Sequence, residues 1–361
     1  MSNVAATGEL TVDVVIATRN RRRFLEQCLA SIRGQTLQPR RVIVVDDGST
    51  DDTRAALEGL AGDWPNLTAI SVSQRGVSAA RNIGISRSTS DLVAFNDDDD
   101  LWLPTMLERQ VALFRGRPRT GFVYCGFCEL DAAGNDLVDG CQVRPERRGE
   151  IFHDILERFH GIALPTIVAR RSLLIDVGGF DESMSQAEDR DLCLALARRA
   201  EVDCNSETLV GVRKHPRGAY GGAMRHDPEL VLNQRLSVWN KWREDFVDRN
   251  AVLARFRVEA AAVAIALLTR LPPDLGLYRR LSTSNLLLAR ELFPTRRAFL
   301  AAVLAALGIG RQSADARLGP LETLKWALAR RVILPSPTLL GLARRLGKFR
   351  DGSTHVSGDG E

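Results

Sequence analysis

The chain has 361 residues, 45% of them hydrophobic and 26% charged, the balance of a soluble globular protein long enough for one large domain or two ordinary ones. Residues 231–361 hold 21 Lys+Arg against 11 Asp+Glu, a net of +10, whereas residues 1–230 are net −6, and such asymmetry suggests two jobs. The longest strongly apolar run, residues 260–269, is far short of the ~20 residues that span a bilayer, and "MSNVAATGELT" has neither the basic nor the apolar region of a secretory signal, so the expectation is a cytoplasmic protein, soluble or peripheral at a membrane.

The first hundred residues alternate strand and helix. "VDVVIA" (12–17) is a short apolar run of buried-strand type. "RRFLEQCLASIR" (22–33) places Phe24, Leu25, Cys28, Leu29 and Ile32 on one helical face. "RVIVVDD" (41–47) predicts a second strand, and "GSTDDTRAALEGLA" a helix capped by Ser49 or Thr50. "LTAISV" (67–72) is a third strand, "GVSAARNIGISRS" a third helix and "DLVAFN" (91–96) a fourth strand. This order, with nearly continuous apolar strands, predicts an α/β fold whose mainly parallel sheet is flanked by helices.

Beyond residue 120 the pattern is mixed. "GFVYCGFCEL" reads as a strand, which argues against a zinc site at Cys125 and Cys128, because positions three apart point to opposite faces. A second strand is expected near 137–143, a helix over 151–159, and the strand "PTIVAR" after it. "SLLIDVGGFDE" predicts a short helix ended by Gly178-Gly179, "AEDRDLCLALARR" another helix, and "ETLVGVRKH" a strand. From about Pro228 only helices are expected, broken by prolines.

Three polar clusters fall at successive strand ends: "TRN" (18–20), "DDGST" (46–50) and "NDDDD" (96–100). Ligands of open α/β sheets bind at the carboxyl ends of the strands. Four consecutive carboxylates, Asp97 to Asp100, repel one another and have no basic partner nearby in sequence. Asp100 reads as an N-cap for the helix that follows; the others point to Mg²⁺ or Mn²⁺, which prefer oxygen ligands and leave positions for substrate phosphates. No Walker-type phosphate loop occurs.

In series, "VDVVIATRNRRRFLEQCLASIRGQTLQPRRVIVVDDGSTDDT", "GVSAARNIG", "NDDDDLW", "GGFDE" and "AEDRDL" resemble the family 2 glycosyltransferases of GT-A fold over roughly residues 10–216. The resemblance implies a nucleotide-diphospho-sugar donor, a UDP-sugar, a divalent cation, an acceptor hydroxyl on a glycan, lipid-linked or small-molecule acceptor, and inversion at the anomeric carbon. It implies that Thr18 and Asp47 hold the nucleobase and ribose, with Asn20, Gly76, Arg81, Asp97 and Asp98 completing the donor site. It makes Asp99 the direct metal ligand of a D-x-D motif, with Asp97 and His215 as further ligands, and Asp189 the catalytic base supported by Glu188. Taken alone, Glu188, Asp189 and Asp191 read as first-turn acids on a solvated helix face; a helix macrodipole there favours an ionised, proton-accepting carboxylate. Trp102 reads as packing. Gln74-Arg75-Gly76 and Asn96 depart from the family pattern near the donor.

The expected organisation is a disordered start (1–10), a GT-A catalytic domain (11–220), a helical region (221–350) and a disordered tail (351–361). "LLGLARRLGKFR" (339–350) segregates apolar and basic residues on a helix, which suggests contact with an anionic membrane; no nucleic acid is expected. Two other readings compete with the transferase. A sugar-1-phosphate nucleotidyltransferase would open with a Gly-rich phosphate loop, unlike "ATRNRRR". A degenerate GT-A scaffold would not need Asp47, Asp97, Asp99 and Asp189 together.

Overall fold

A computed structural model describes residues 9–136, 142–158, 162–184, 186–215, 234 and 237–247, all within the first of two compact units, Met1–Val252. The order is β1 (Val12–Thr18), α1 (Arg22–Arg33), β2 (Arg41–Asp47), α2 (Thr53–Asp63), β3 (Leu67–Val72), α3 (Val77–Arg87), β4 (Leu92–Phe95), β5 (Leu101–Trp102), α4 (Met106–Ala112), β6 (Thr120–Leu130), β7 (Gln142–Val143), α5 (Phe152–Arg158), β8 (Val168–Arg170), α6 (Arg171–Asp176), α7 (Glu188–Ala197) and β9 (Glu201–Arg213). One sheet runs β3-β2-β1-β4-β8-β6-β9-β5, with β7 on β6. It is parallel from β3 to β4 and mixed beyond, where β8 runs antiparallel to β4 and β6, and β9 pairs parallel with β6.

Alternation along β1 builds two cores. Val12, Val14 and Ile16 pack with Leu25, Cys28, Leu29 and Ile32 of α1. Val15 turns to the other face, with Val93, Phe95 and residues of α7. Helix α3 sits close against β1 because Gly84 has no side chain: a Cβ there would meet Val15 Cγ1 at 2.3 Å. Asp13, buried in β1, accepts hydrogen bonds from Ser88 Oγ (2.8 Å), Ser90 Oγ (2.7 Å) and the Thr89 amide (3.0 Å), which fastens the strand to the α3–β4 turn.

Several local expectations are corrected. Ser49 and Thr50 do not cap α2, whose N-cap position is Asp52. They close a loop instead: the Asn20 amide donates to Ser49 Oγ (2.9 Å), and Asn20 Oδ1 accepts from the Thr50 amide (2.7 Å). Asp100 precedes β5, not a helix; α4 starts at Met106 with Thr105 at its N-cap. "PTIVAR" is shorter as a strand, since a 3₁₀ turn at Leu164–Thr166, begun around Pro165, leaves only β8 extended. β9 is longer than expected and starts at Glu201. The helix over 151–159 is α5, and Gly178 and Gly179 take positive φ after α6.

Of the 221–350 region, only residues 234 and 237–247 are described: 237–241 are helical and Arg243–Asp245 form a 3₁₀ turn; the remainder of that region, including the basic stretch 339–350, lies outside the described residues, as do the tail 351–361 and all of the 1–10 segment except residues 9 and 10. Among the described residues no helix is long and apolar enough to cross a membrane.

Candidate active site

Parallel pairing brings the strand ends together, with Thr18 beside Asp46 across β1 and β2, and Val15 beside Phe95 across β1 and β4. The carboxylates do have cationic partners, supplied from elsewhere in the chain. Arg21 Nη1 lies 2.8 Å from Asp98 Oδ1 and 2.8 Å from Asp99 Oδ2. Arg81 donates through Nη2 to Asp97 Oδ1 and through Nη1 to Glu188 Oε1, both at 2.7 Å. Thr18 Oγ1 donates to Asp98 Oδ2 at 2.7 Å. Burial pushes the Asp98 carboxyl up to about 6 against the pull of Arg21. Burial also raises Asp97 despite Arg81. For Asp99, burial works upward, but the His215 hydrogen bond and Arg21 outweigh it and hold the carboxyl below its ordinary range.

Asp100 points away from this group. Its Oδ1 accepts from the Arg213 amide at 2.7 Å, joining the acidic run to the end of β9. Two residues on, His215 Nε2 stands 2.9 Å from Asp99 Oδ2. Phe24 of α1, expected among core residues, is only partly buried: its ring lies 4.4 Å from the His215 ring, with the Arg213 guanidinium 4.9 Å from its centroid.

Helix α7 begins after Ala187, held at φ 65°. Glu188 is bound to Arg81, and Asp189 follows it. Burial, then the Glu188 charge, pushes the Asp189 carboxyl up to about 7. The macrodipole expected to favour its ionised form is therefore outweighed by desolvation. Asp191 is buried and fully engaged, accepting from Lys241 Nζ (2.7 Å) and Trp242 Nε1 (2.8 Å), so it is a packing group and not a solvated acid.

On the other side, Asp47 accepts from the amides of Arg75 (2.7 Å) and Gly76 (3.0 Å), so the Gln74-Arg75-Gly76 segment is held by its backbone. Gly76 at φ 98° starts α3. Asn96 is buried and turned toward α1, its Nδ2 donating to Cys28 Sγ at 3.3 Å. Trp102 is packing: its Nε1 donates to Pro165 O at 2.8 Å. Cys125 and Cys128 both lie on β6.

The structure thus joins Thr18, Asp97, Asp98, Asp99, Glu188 and His215 through Arg21 and Arg81, with Asp189 beside Glu188. Among the described residues no three His, Cys, Asp or Glu side chains converge into a metal cage. Asp99 Oδ2 and His215 Nε2 stand 2.9 Å apart, an oxygen and a nitrogen side by side, while Asp97 bonds Arg81. That donor set fits a hard divalent ion only as an open site whose other positions go to water or phosphate. Arg21 was not foreseen; the signal was "RRR" immediately after a strand end. Lys241 and Trp242 had no local signal.

A parallel α/β sheet with an acidic cluster at its strand ends, closed by a mixed sheet, is the GT-A architecture. Residues 13–138 match the Glycosyl transferase family 2 model. It is 33% identical over 206 residues to the pre-mycofactocin glycosyltransferase of Mycobacterium tuberculosis, covering 51% of this chain and 38% of that protein. It is 26% identical over 198 residues to the amylovoran biosynthesis glycosyltransferase AmsE of Erwinia amylovora, covering 52% and 70%. The chain spans only 36%, 33% and 64% of the length of the first curated relatives it matches. In fold it is similar to Staphylococcus aureus TarS 1–349 in complex with UDP-GlcNAc (TM-score 0.54, 18% identity, 94% and 93% of the chains). It is also similar to the mannosyltransferase PcManGT of Pyrobaculum calidifontis in complex with GDP-Man and Mn²⁺ (TM-score 0.53, 20% identity, 83% and 88%).

Proposed function

We propose that residues 11–220 form an inverting glycosyltransferase that moves a sugar from a nucleotide-diphospho-sugar, a UDP-sugar, to an acceptor hydroxyl in polysaccharide, glycolipid or glycoconjugate synthesis. The observation that carries this reading is the Arg81 bridge, which ties Asp97 to Glu188 and so sets Asp189, with its carboxyl pushed to about 7, beside the acidic strand end. The AmsE relative supports a polysaccharide product, and the UDP-GlcNAc held by TarS and the GDP-Man held by PcManGT support a nucleotide-diphospho-sugar donor.

In this reading Asp189 takes the acceptor's proton as the hydroxyl attacks the anomeric carbon, and a pKa near 7 suits that task. A single displacement needs no enzyme nucleophile. Glu188 fixes Arg81, which holds Asp97 toward the donor. Asp47 and Asn20 shape the loops over which the nucleoside lies, Gly76 lets the chain enter α3 there, and Thr18 sets Asp98. Asp99 and His215 would hold Mn²⁺ or Mg²⁺, with Asp97 at its edge, and the ion would stabilise the charge of the departing diphosphate.

The test is incubation with a panel of nucleotide sugars and Mn²⁺, scored for donor hydrolysis and for transfer to glycan and lipid-linked acceptors. Hydrolysis of one UDP-sugar, lost in excess chelator and in Asp99→Ala, is the expected result. Full turnover in chelator would remove the metal from the mechanism; silence across the panel would remove the transferase reading.

A further inference from the structure

We propose that Arg21 is a resident counter-cation: it holds Asp98 and Asp99 together in the ligand-free protein and must leave Asp99 before a divalent ion can bind. The inference rests on the reading of Asp99 and His215 as metal ligands. One nitrogen, Nη1, stands at 2.8 Å from carboxylates of two consecutive residues. Both carboxylates are buried, at 4% and 7% exposed. Two such charges side by side with no cation would strongly disfavour their joint ionisation.

The decisive detail is which oxygen is taken. Asp99 Oδ2 is the atom that meets His215 Nε2, and it is also the atom that accepts from Arg21. An ion seated between Asp99 and His215 needs that same oxygen, so ion and guanidinium compete. The Arg21 backbone is fixed, since its carbonyl accepts from the amides of Phe24 and Leu25 in the first turn of α1. Its side chain is 22% exposed, against 7% for Arg81, so the Arg21 guanidinium can swing toward solvent and an incoming diphosphate while Arg81 stays locked. Exchanging one cation for another keeps the acidic pair neutralised at each stage.

The experiment is a Mn²⁺ titration of the full chain without nucleotide, read by electron paramagnetic resonance of the free ion. Arg21→Gln should bind Mn²⁺ about tenfold more tightly than the unaltered chain, the effect of removing one competing charge-assisted bond. Arg22→Gln, whose partners are the exposed Glu26 and Asp52, should bind as the unaltered chain does. Asp99→Asn should lose binding. In chelator, Arg21→Gln should melt below the unaltered chain, and Mn²⁺ should restore more of its melting temperature. If Arg21→Gln does not fold, Arg21→Lys replaces it; a point charge that bridges two carboxylates less well should still tighten Mn²⁺ binding several-fold. Unchanged or weaker Mn²⁺ affinity in the folded Arg21 variant, with Asp99→Asn still abolishing binding, overturns the proposal and leaves the metal reading standing. Undiminished binding in Asp99→Asn overturns both.

Discussion

Arg81 and Glu188 meet in a 2.7 Å ion pair across 107 positions of sequence, and both side chains are largely buried. This contact anchors the start of α7 to the acidic end of β4, because the other arm of the same guanidinium holds Asp97. Removing the arginine strands two carboxylates. Arg81→Ala should therefore cost about 3 kcal/mol of stability, the scale for breaking a buried pair, as well as activity. Glu188→Gln retains the shape and a weaker bond, and should lower kcat by about tenfold with a smaller change in stability. Urea unfolding and steady-state kinetics separate the two effects; equal loss of stability in both variants would contradict this account of Arg81.

Asp189→Asn should lower kcat by about 10²–10⁴-fold with little change in donor affinity. The pH dependence has a definite sign. A base at about 7 is protonated and idle below that value, so turnover should rise through pH 7 in the unaltered chain. Stability runs the other way. The folded value lies above the ordinary 3.8, so ionising this carboxyl in the folded protein costs free energy that accumulates as the pH rises from about 4 to 7. Asparagine relieves that cost, and the variant should gain more melting temperature at pH 8 than at pH 5. A pH-independent gain would mean that Asp189 is not the group strained by burial.

Asp191→Ala should destabilise the domain by about 2–3 kcal/mol without a specific effect on the chemical step, since its carboxylate is spent on Lys241 and Trp242 and Lys241 is partly exposed, which screens the pair. Turnover per folded molecule is the measurement. A drop of a hundredfold there would reassign Asp191 to the reaction.

Asp13 supplies an acid-sensitive fastening. Burial alone would raise its carboxyl, but bonds from Ser90, Ser88 and Thr89, with the Arg41 charge, bring it below 3.8. A depressed folded value means stabilisation present above about pH 4 and lost as the pH falls through the folded value. Asp13→Asn should cost about 2 kcal/mol at pH 7, because an amide cannot accept all these donors, and much less near pH 2. Denaturant midpoints at the two pH values decide it.

The parallel half of the sheet was legible because β1, β2 and β4 are buried on both faces and so read as nearly continuous apolar runs. The position of the acidic cluster followed from that alone. Its partners were not legible, since Arg21 reads as part of a solvated helix start and Arg81 pairs with Glu188 only once α7 is folded against α3. Asp100 looked like a cap because its actual donor, the Arg213 amide, arrives 113 residues later. The Asp189 environment was misjudged for a similar reason: a helix dipole is visible in a sequence, whereas the burial that overrides it is a property of the packed molecule. Ser49 and Thr50 failed as caps because Asn20 claims them from another strand end.

Asn82, next to Arg81, grips Phe180 from both sides: its Nδ2 donates to the Phe180 carbonyl (2.9 Å) and its Oδ1 accepts from the Phe180 amide (2.8 Å). The grip is close enough that a Cβ on Gly179 would meet Asn82 Oδ1 at 2.4 Å. "ARN" and "GGF" are therefore two halves of one lock, separated by about a quarter of the chain. In recombination with a relative, a crossover between residues 82 and 179 preserves the lock only if both parents carry the same halves. Libraries that diversify this domain for new donors or acceptors should transmit the two segments together, whatever is varied between them.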